Sequence, residues 1–181
     1  MKDVWIVGKG PSIINLRKEH FGEGIIITIN QAIKTVEKLG LDNLIFSLQK
    51  DGSSNHHRHN DCPSLDCKNC HFSQVYPESA ILLLHKHESI QCMPDYNKRV
   101  ILDTEEFGLN IHDESVQLAI SFALNQDCDN FHFLCFDSIT KGVYYSVLPD
   151  GSVDLVSGAY ELQVERLLQR CSTLKHEFIT P

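Results

Sequence analysis

The residues most suited to chemistry form a glycine-rich turn near the N-terminus, Gly8-Lys9-Gly10-Pro11-Ser12. The turn follows an apolar run at Val4–Val7, and Pro11 suits the first position of a helix because no N–H is needed there. Free N–H groups in the first helical turn, at Ser12 and Ile13, would favour an anion. The turn therefore predicts a phosphate site. Its spacing matches neither a P-loop nor a dinucleotide fingerprint, and a ligand-free strand-to-helix turn would use the same residues.

A second group of reactive side chains lies in the polar tract 50–78, which is rich in cysteine and histidine. Cys67-x-x-Cys70 is a common half-site for zinc, and bonds to a metal would order a loop that has few apolar residues. We predict a structural zinc ion held by Cys67, Cys70, Cys62 and one histidine, with His59 and His71 as the leading choices. A mobile polar loop without metal is the alternative.

The chain has seven cysteines in total. Because the number is odd and no secretion signal is visible, reduced thiols or a metal site are favoured over a disulfide framework. Cys128, Cys135 and Cys171 lie in apolar or helical surroundings, which is typical of packing residues.

The elements that would position these groups follow from the hydrophobic pattern. Seven apolar runs of strand length predict strands at 4–7, 25–29, 44–48, 80–84, 100–102, 131–136 and 177–179. Apolar residues at helical spacing predict helices at 11–20, 31–39, 115–125 and 157–171. Strands that are apolar throughout and connected by helices indicate an α/β fold, with a mostly parallel sheet covered on both faces. Pro149-Asp150-Gly151 predicts the turn of a small β-hairpin at 142–156.

Polar residues follow several of the predicted strands, at the edge where open parallel sheets bind ligands. Asn30 and Gln31 follow the second strand, His85 the fourth and Asp137 the sixth. Asp137 could hold Mg²⁺ or a substrate, and His85 could serve as a general base, which are the groups that phosphoryl transfer needs. Helix capping or loop solvation is the alternative for each of them.

Three short blocks resemble a known superfamily. They are Gly8–Ser12, Ile29-Asn30-Gln31, and Glu114-Ser115-Val116 together with Cys135-Phe136-Asp137. The chain resembles the Rossmann-like transferases that include the MptE-like 6-hydroxymethylpterin pyrophosphokinases and the bacterial sialyltransferases that use CMP-sialic acid. The resemblance implies a Rossmann-like fold in which Gly8, Gly10, Ser12 and Asn30 contact a nucleotide. Lys9, Gln31 and Ser115 complete the expected ligand-binding set.

Length and charge narrow the class of protein. With 181 residues and 42% hydrophobic residues, the chain suits one globular domain over 1–181, with an insertion loop at 50–78. A formal net charge of −8 argues against binding nucleic acid or an anionic membrane, so a small phosphorylated ligand is expected. With no targeting or membrane-spanning segment in view, we expect a soluble cytoplasmic protein. The two functions in contention are a transferase, and a non-catalytic nucleotide-binding module with a zinc-stabilised interaction loop.

Overall fold

A computed structural model describes residues 1–49, 79–85, 99–102, 115–147, 151–155 and 160–181. The predicted insertion loop at 50–78 lies outside these residues, as do the candidate zinc ligands within it.

Within this described part of the chain, seven strands form one sheet. They are β1 (Asp3–Val7), β2 (Ile25–Ile29), β3 (Leu44–Gln49), β4 (Ile81–His85), β5 (Arg99–Leu102), β6 (Asn130–Leu134) and, last in the chain, β9 (His176–Ile179). Their order in the sheet is β5-β4-β3-β2-β1-β6-β9, and every pairing is parallel. The predicted strands are therefore confirmed to within two residues at each end. The inner strands β1, β2 and β6 could be read from the sequence because parallel strands covered on both faces are apolar along most of their length.

The helices agree with the pattern in part. The described residues contain the α-helices α1 (Ile33–Val36), α2 (Ser115–Asn125), α3 (Asp137–Thr140) and α4 (Tyr160–Cys171). Short 3-10 helices at Asn30–Ala32 and Glu37–Leu39 extend α1 in both directions. The single helix predicted at 11–20 is wrong, because this segment forms two separate 3-10 helices, Pro11–Asn15 and Lys18–His20. Leu16 and Arg17 between them have extended backbone, which interrupts the helix.

The buried side chains form two clusters, because neighbouring residues of a strand point to opposite faces of the sheet. Val4 and Ile6 of β1 lie in a cluster with α2 and α4. Trp5 and Val7 lie in the other cluster, with the first 3-10 helix and α1. Helical elements therefore cover both faces, as expected.

The predicted hairpin is present beside the sheet. β7 (Tyr145–Val147) and β8 (Val153–Leu155) pair antiparallel, and the backbone N–H of Val147 donates to the carbonyl of Lys9 at 3.1 Å. This bond holds the hairpin against the glycine turn. None of the helices described is both long and apolar enough to cross a membrane.

Candidate functional site

The order of the strands creates a crevice next to β1. From β1 the chain moves outward through β2, β3, β4 and β5, and it then returns to the other side of β1 with β6. The connections that follow β1 and β6 therefore leave the sheet in opposite directions. In open α/β sheets ligands bind at such a reversal, outside the carboxyl ends of the strands. The segments after β1, β2 and β6 meet at this edge.

The glycine turn is bonded to the end of β6. The N–H of Gly8 donates to the carbonyl of Leu134, and the N–H of Gly10 donates to the carbonyl of Cys135, both at 2.9 Å. Neither glycine has a positive φ, and Gly10 has φ −60°. What requires glycine is close packing, since a Cβ on Gly10 would overlap the Asp137 carboxylate and lie 2.6 Å from the carbonyl oxygen of Cys135.

Asp137 occupies the position that was expected for an external anion. Its Oδ2 accepts hydrogen bonds from the backbone N–H of Ser12 at 3.0 Å and from the Ser12 hydroxyl at 2.6 Å. The N–H of Ile13 donates to the carbonyl of Gly10. The expectation of free N–H groups at Ser12 and Ile13 is therefore wrong. The Asp137 carboxylate accepts from the N–H of Ser12, and a hydrogen bond of the 3-10 helix satisfies the N–H of Ile13.

The other oxygen of Asp137 faces a lysine. Lys141 Nζ lies 3.3 Å from Asp137 Oδ1 in an ion pair without hydrogen-bond geometry, and Asp137 is only 1% exposed. A magnesium ion on this oxygen would have to displace the Lys141 ammonium group. The described residues therefore fit a protein-bound Mg²⁺ poorly at Asp137, and no chemical step is derived through a metal there.

Cys135 connects β6 to Asp137 in an unusual conformation. Its φ is +62°, in the left-handed region that non-glycine residues seldom adopt, which ends β6 at Leu134, before the predicted end at Phe136. Burial, with a smaller contribution from the negative charge of Asp137, raises the pKa of the Cys135 thiol to about 12, although the Ser12 hydrogen bond opposes the shift. The thiol is therefore neutral, which excludes it as a nucleophile at physiological pH.

Asn30 and Gln31 lie one strand away from the turn. β2 pairs with β1 in parallel, with Thr28 opposite Val7, so Asn30 leaves the same edge as Gly10. Asn30 has φ +50° and is half-buried, and its side-chain amide makes no hydrogen bond to any residue that the structure describes. Gln31 is buried. A left-handed residue at the edge of a crevice is a feature that functional sites share.

Two further candidates lie on this edge at different distances from the turn. Ser115 is the first residue of α2, whose other end leads through a short turn to the start of β6, so Ser115 lies toward the carboxyl ends of the strands. His85 is the last residue of β4, which is separated from β1 by β2 and β3. At the usual strand spacing this separation is about 14 Å. The edge therefore brings Gly8, Lys9, Gly10, Ser12, Asn30 and Asp137 together and leaves His85 apart.

The zinc prediction concerns residues outside those described. Cys62, Cys67, Cys70, His59 and His71 all lie within 50–78. Within the described part of the chain, no group of three or more histidine, cysteine, aspartate or glutamate side chains is arranged to hold a metal ion.

Lys141 is the residue of the site that the sequence analysis missed. The sequence feature that indicates its role is its spacing of four residues from Asp137. Residues four apart are neighbours on a helix, where an Asp followed four residues later by a Lys can form an ion pair. Cys135 was assigned to packing, and nothing in its sequence context indicates its left-handed backbone.

A scan of protein-family models matches none of them to this chain, and a search of curated proteins finds no relative.

Proposed function

We propose that this chain binds a nucleotide or another phosphorylated small molecule in the crevice beside β1 and β6, and that it is a Rossmann-like transferase of the pyrophosphokinase-like or sialyltransferase-like glycosyltransferase type. The strand order carries this proposal. It reverses at β1, and the glycine turn and Asn30 follow neighbouring strands at that point. The resemblance of the same segments to nucleotide-binding transferases supports it independently.

Asn30 is the residue that we assign to ligand recognition. An amide both donates and accepts hydrogen bonds, so it can read a base or a sugar hydroxyl. Its left-handed backbone directs the chain across the edge of the sheet. The free-energy cost of such a conformation is small for asparagine, and a role of the amide in ligand binding would explain why the conformation is used here.

Lys141 would supply positive charge to the phosphate groups. Its side chain is 48% exposed, whereas its partner Asp137 is almost fully buried, so the ammonium group lies between the carboxylate and solvent. Phosphoryl and glycosyl transfer from a nucleotide both need such a charge, because negative charge builds up on the leaving phosphate. Ser115 at the start of α2 would add a donor at the same edge.

Asp137 has a positioning role in this proposal. It fixes the Ser12 end of the glycine turn and orients Lys141, and it touches neither the reacting atoms nor a metal. His85 is too distant to share a phosphate with the turn, so it would act as a general base only on a second substrate that extends along the edge toward β4.

A non-catalytic nucleotide-binding module is the second candidate. The observation that favours it is the engagement of Asp137, because both of its oxygens face groups of the same chain. A carboxylate held in this way stabilises the turn and is not itself available as an acid for catalysis.

Calorimetric titration with CMP, ATP and CMP-sialic acid, with and without Mg²⁺, tests the binding step. Asn30→Gly removes the amide and relieves the backbone, and it should weaken the bound nucleotide about two- to tenfold, the worth of one hydrogen bond. Asp127→Gly is the matched control, because Asp127 has φ +59° at the opposite end of α2. Equal affinities for the Asn30→Gly variant and the unaltered chain would exclude the amide from the site.

Product analysis then separates the two candidates. A transferase releases CMP from CMP-sialic acid, or AMP from ATP, in amounts that exceed the protein concentration. Stoichiometric binding without release supports the non-catalytic module.

A further inference from the structure

We propose that a pocket beside the hairpin binds a small amphipathic carboxylate, a molecule with an apolar body and one acidic head group. The pocket lies between the 3-10 helix Pro11–Asn15, the helical segment 33–39 and the hairpin, with a volume of about 270 Å³. Its described lining includes none of the residues assigned to the crevice, and the proposal does not depend on the transferase function.

The interior of the pocket is apolar. Ile13 and Leu16 are almost completely buried and form its floor, and Leu39 and Val147 line its sides. Ile14 stands at its mouth with 65% of its surface exposed. An exposed isoleucine beside an apolar cavity gives a hydrophobic ligand additional surface to cover.

The charged side chains that the structure describes at the pocket are both positive. Among the described residues that line it, Arg17 and Lys38 are the charged ones, and none of that set is an aspartate or a glutamate. This arrangement contrasts with the chain as a whole, whose formal net charge is −8. Two cations beside an apolar cavity complement a ligand whose apolar part ends in an anion.

The guanidinium group of Arg17 is held in place by the backbone. Its Nη1 donates to the carbonyl of Ile14 at 3.0 Å and to the carbonyl of Leu16 at 2.9 Å. Within the described part of the chain neither Arg17 nor Lys38 forms an ion pair with a carboxylate. The remaining N–H donors of Arg17 are therefore available at the pocket, and little side-chain entropy is lost when they bind an anion.

The size of the pocket selects the occupant. Its volume is close to the lower limit of small-molecule sites, about 300 Å³, and is too small for a helix laid into a groove. A medium-chain acyl carboxylate suits both the size and the charge of the pocket. Its acyl chain would fill the apolar floor, and its head group would reach Arg17 and Lys38.

Octanoate is the probe, and octanol is its neutral control in isothermal titration calorimetry. We expect octanoate to bind about three- to fivefold more tightly than octanol, since an exposed charge pair contributes up to about 1 kcal/mol, or about fivefold. Equal binding of the two, or no binding of octanoate, would overturn the proposal.

Two matched pairs of variants locate the site. Ile14→Asp and Ile14→Asn differ in charge at nearly constant shape, and only the aspartate should weaken octanoate binding strongly. Arg17→Gln should weaken octanoate binding about threefold. Lys18→Gln removes an equal charge from the next residue, and it should leave octanoate binding unchanged because Lys18 pairs with Asp42 outside the pocket. Equal effects within either pair would refute the location, and thermal unfolding of each variant verifies that it folds.

Discussion

Asp137→Asn should destabilise the protein, because the carboxylate ties the glycine turn to β6 from a buried position. Oδ2 accepts two hydrogen bonds from Ser12. A bond to a charged group contributes about 1.5–3 kcal/mol and a neutral one about 0.5–1.5 kcal/mol, so the two bonds together lose about 2 kcal/mol. Loss of the half-exposed Lys141 pair adds up to about 1 kcal/mol. The expected total is about 2–3 kcal/mol, which corresponds to a fall in Tm of about 4–12 °C for a chain of this size.

Urea unfolding followed by circular dichroism measures this loss, with Asp42→Asn as the control. Asp42 is an exposed carboxylate whose only described ion pair is with Lys18 at 3.7 Å, and its replacement should leave the midpoint unchanged. Combining Asp137→Asn with Ser12→Ala should cost less than the sum of the two single changes, because both remove the same hydrogen bond. Unchanged or increased stability in Asp137→Asn would refute the positioning role and indicate a carboxylate that is strained for catalysis.

Three further predictions concern separate residues. Gly10→Ala should lower the free energy of unfolding by about 1–3 kcal/mol, because the added Cβ would overlap Asp137. Gly22→Ala is the control and should cost less, because its Cβ would meet only the Trp5 ring, at 3.3 Å. Equal losses in the two variants would refute the close packing at Gly10. Burial raises the pKa of Cys135 from 9.0 to about 12, so its contribution to stability is present below pH 9 and is lost as the pH rises toward 12; a Cys135→Ala variant with the same alkaline decline would contradict this. Metal analysis of untagged protein should find one zinc ion per chain, lost in Cys67→Ser without loss of the sheet, and metal-free protein would refute the zinc site.

The strands could be predicted because their information is local. The inner strands β1, β2 and β6 are buried on both faces, so their apolar runs are visible without knowledge of their neighbours. α2 was predicted with its correct bounds for the same reason, since its apolar residues recur at helical spacing.

The details of the turn could not be predicted, because they depend on residues that are far apart in sequence. Ser12 and Asp137 are 125 positions apart, and only the return of the chain to β6 brings them together. The sequence therefore predicted a free N–H group at Ser12, whereas in the fold this group donates to the Asp137 carboxylate. Close packing against the end of β6 likewise explains why residue 10 is a glycine, whereas the sequence suggested that this glycine allows a ligand to approach.

The most direct test of the central proposal is an NMR titration of ¹⁵N-labelled protein with CMP and with ATP. If a nucleotide binds beside β1 and β6, the amide signals of Gly8, Asn30 and Lys141 will shift together with one saturation curve. The signals of Asp127 and Asp129, at the opposite edge of the sheet, will stay in place. Shifts confined to that opposite edge, or none at saturating nucleotide, would contradict the proposed site.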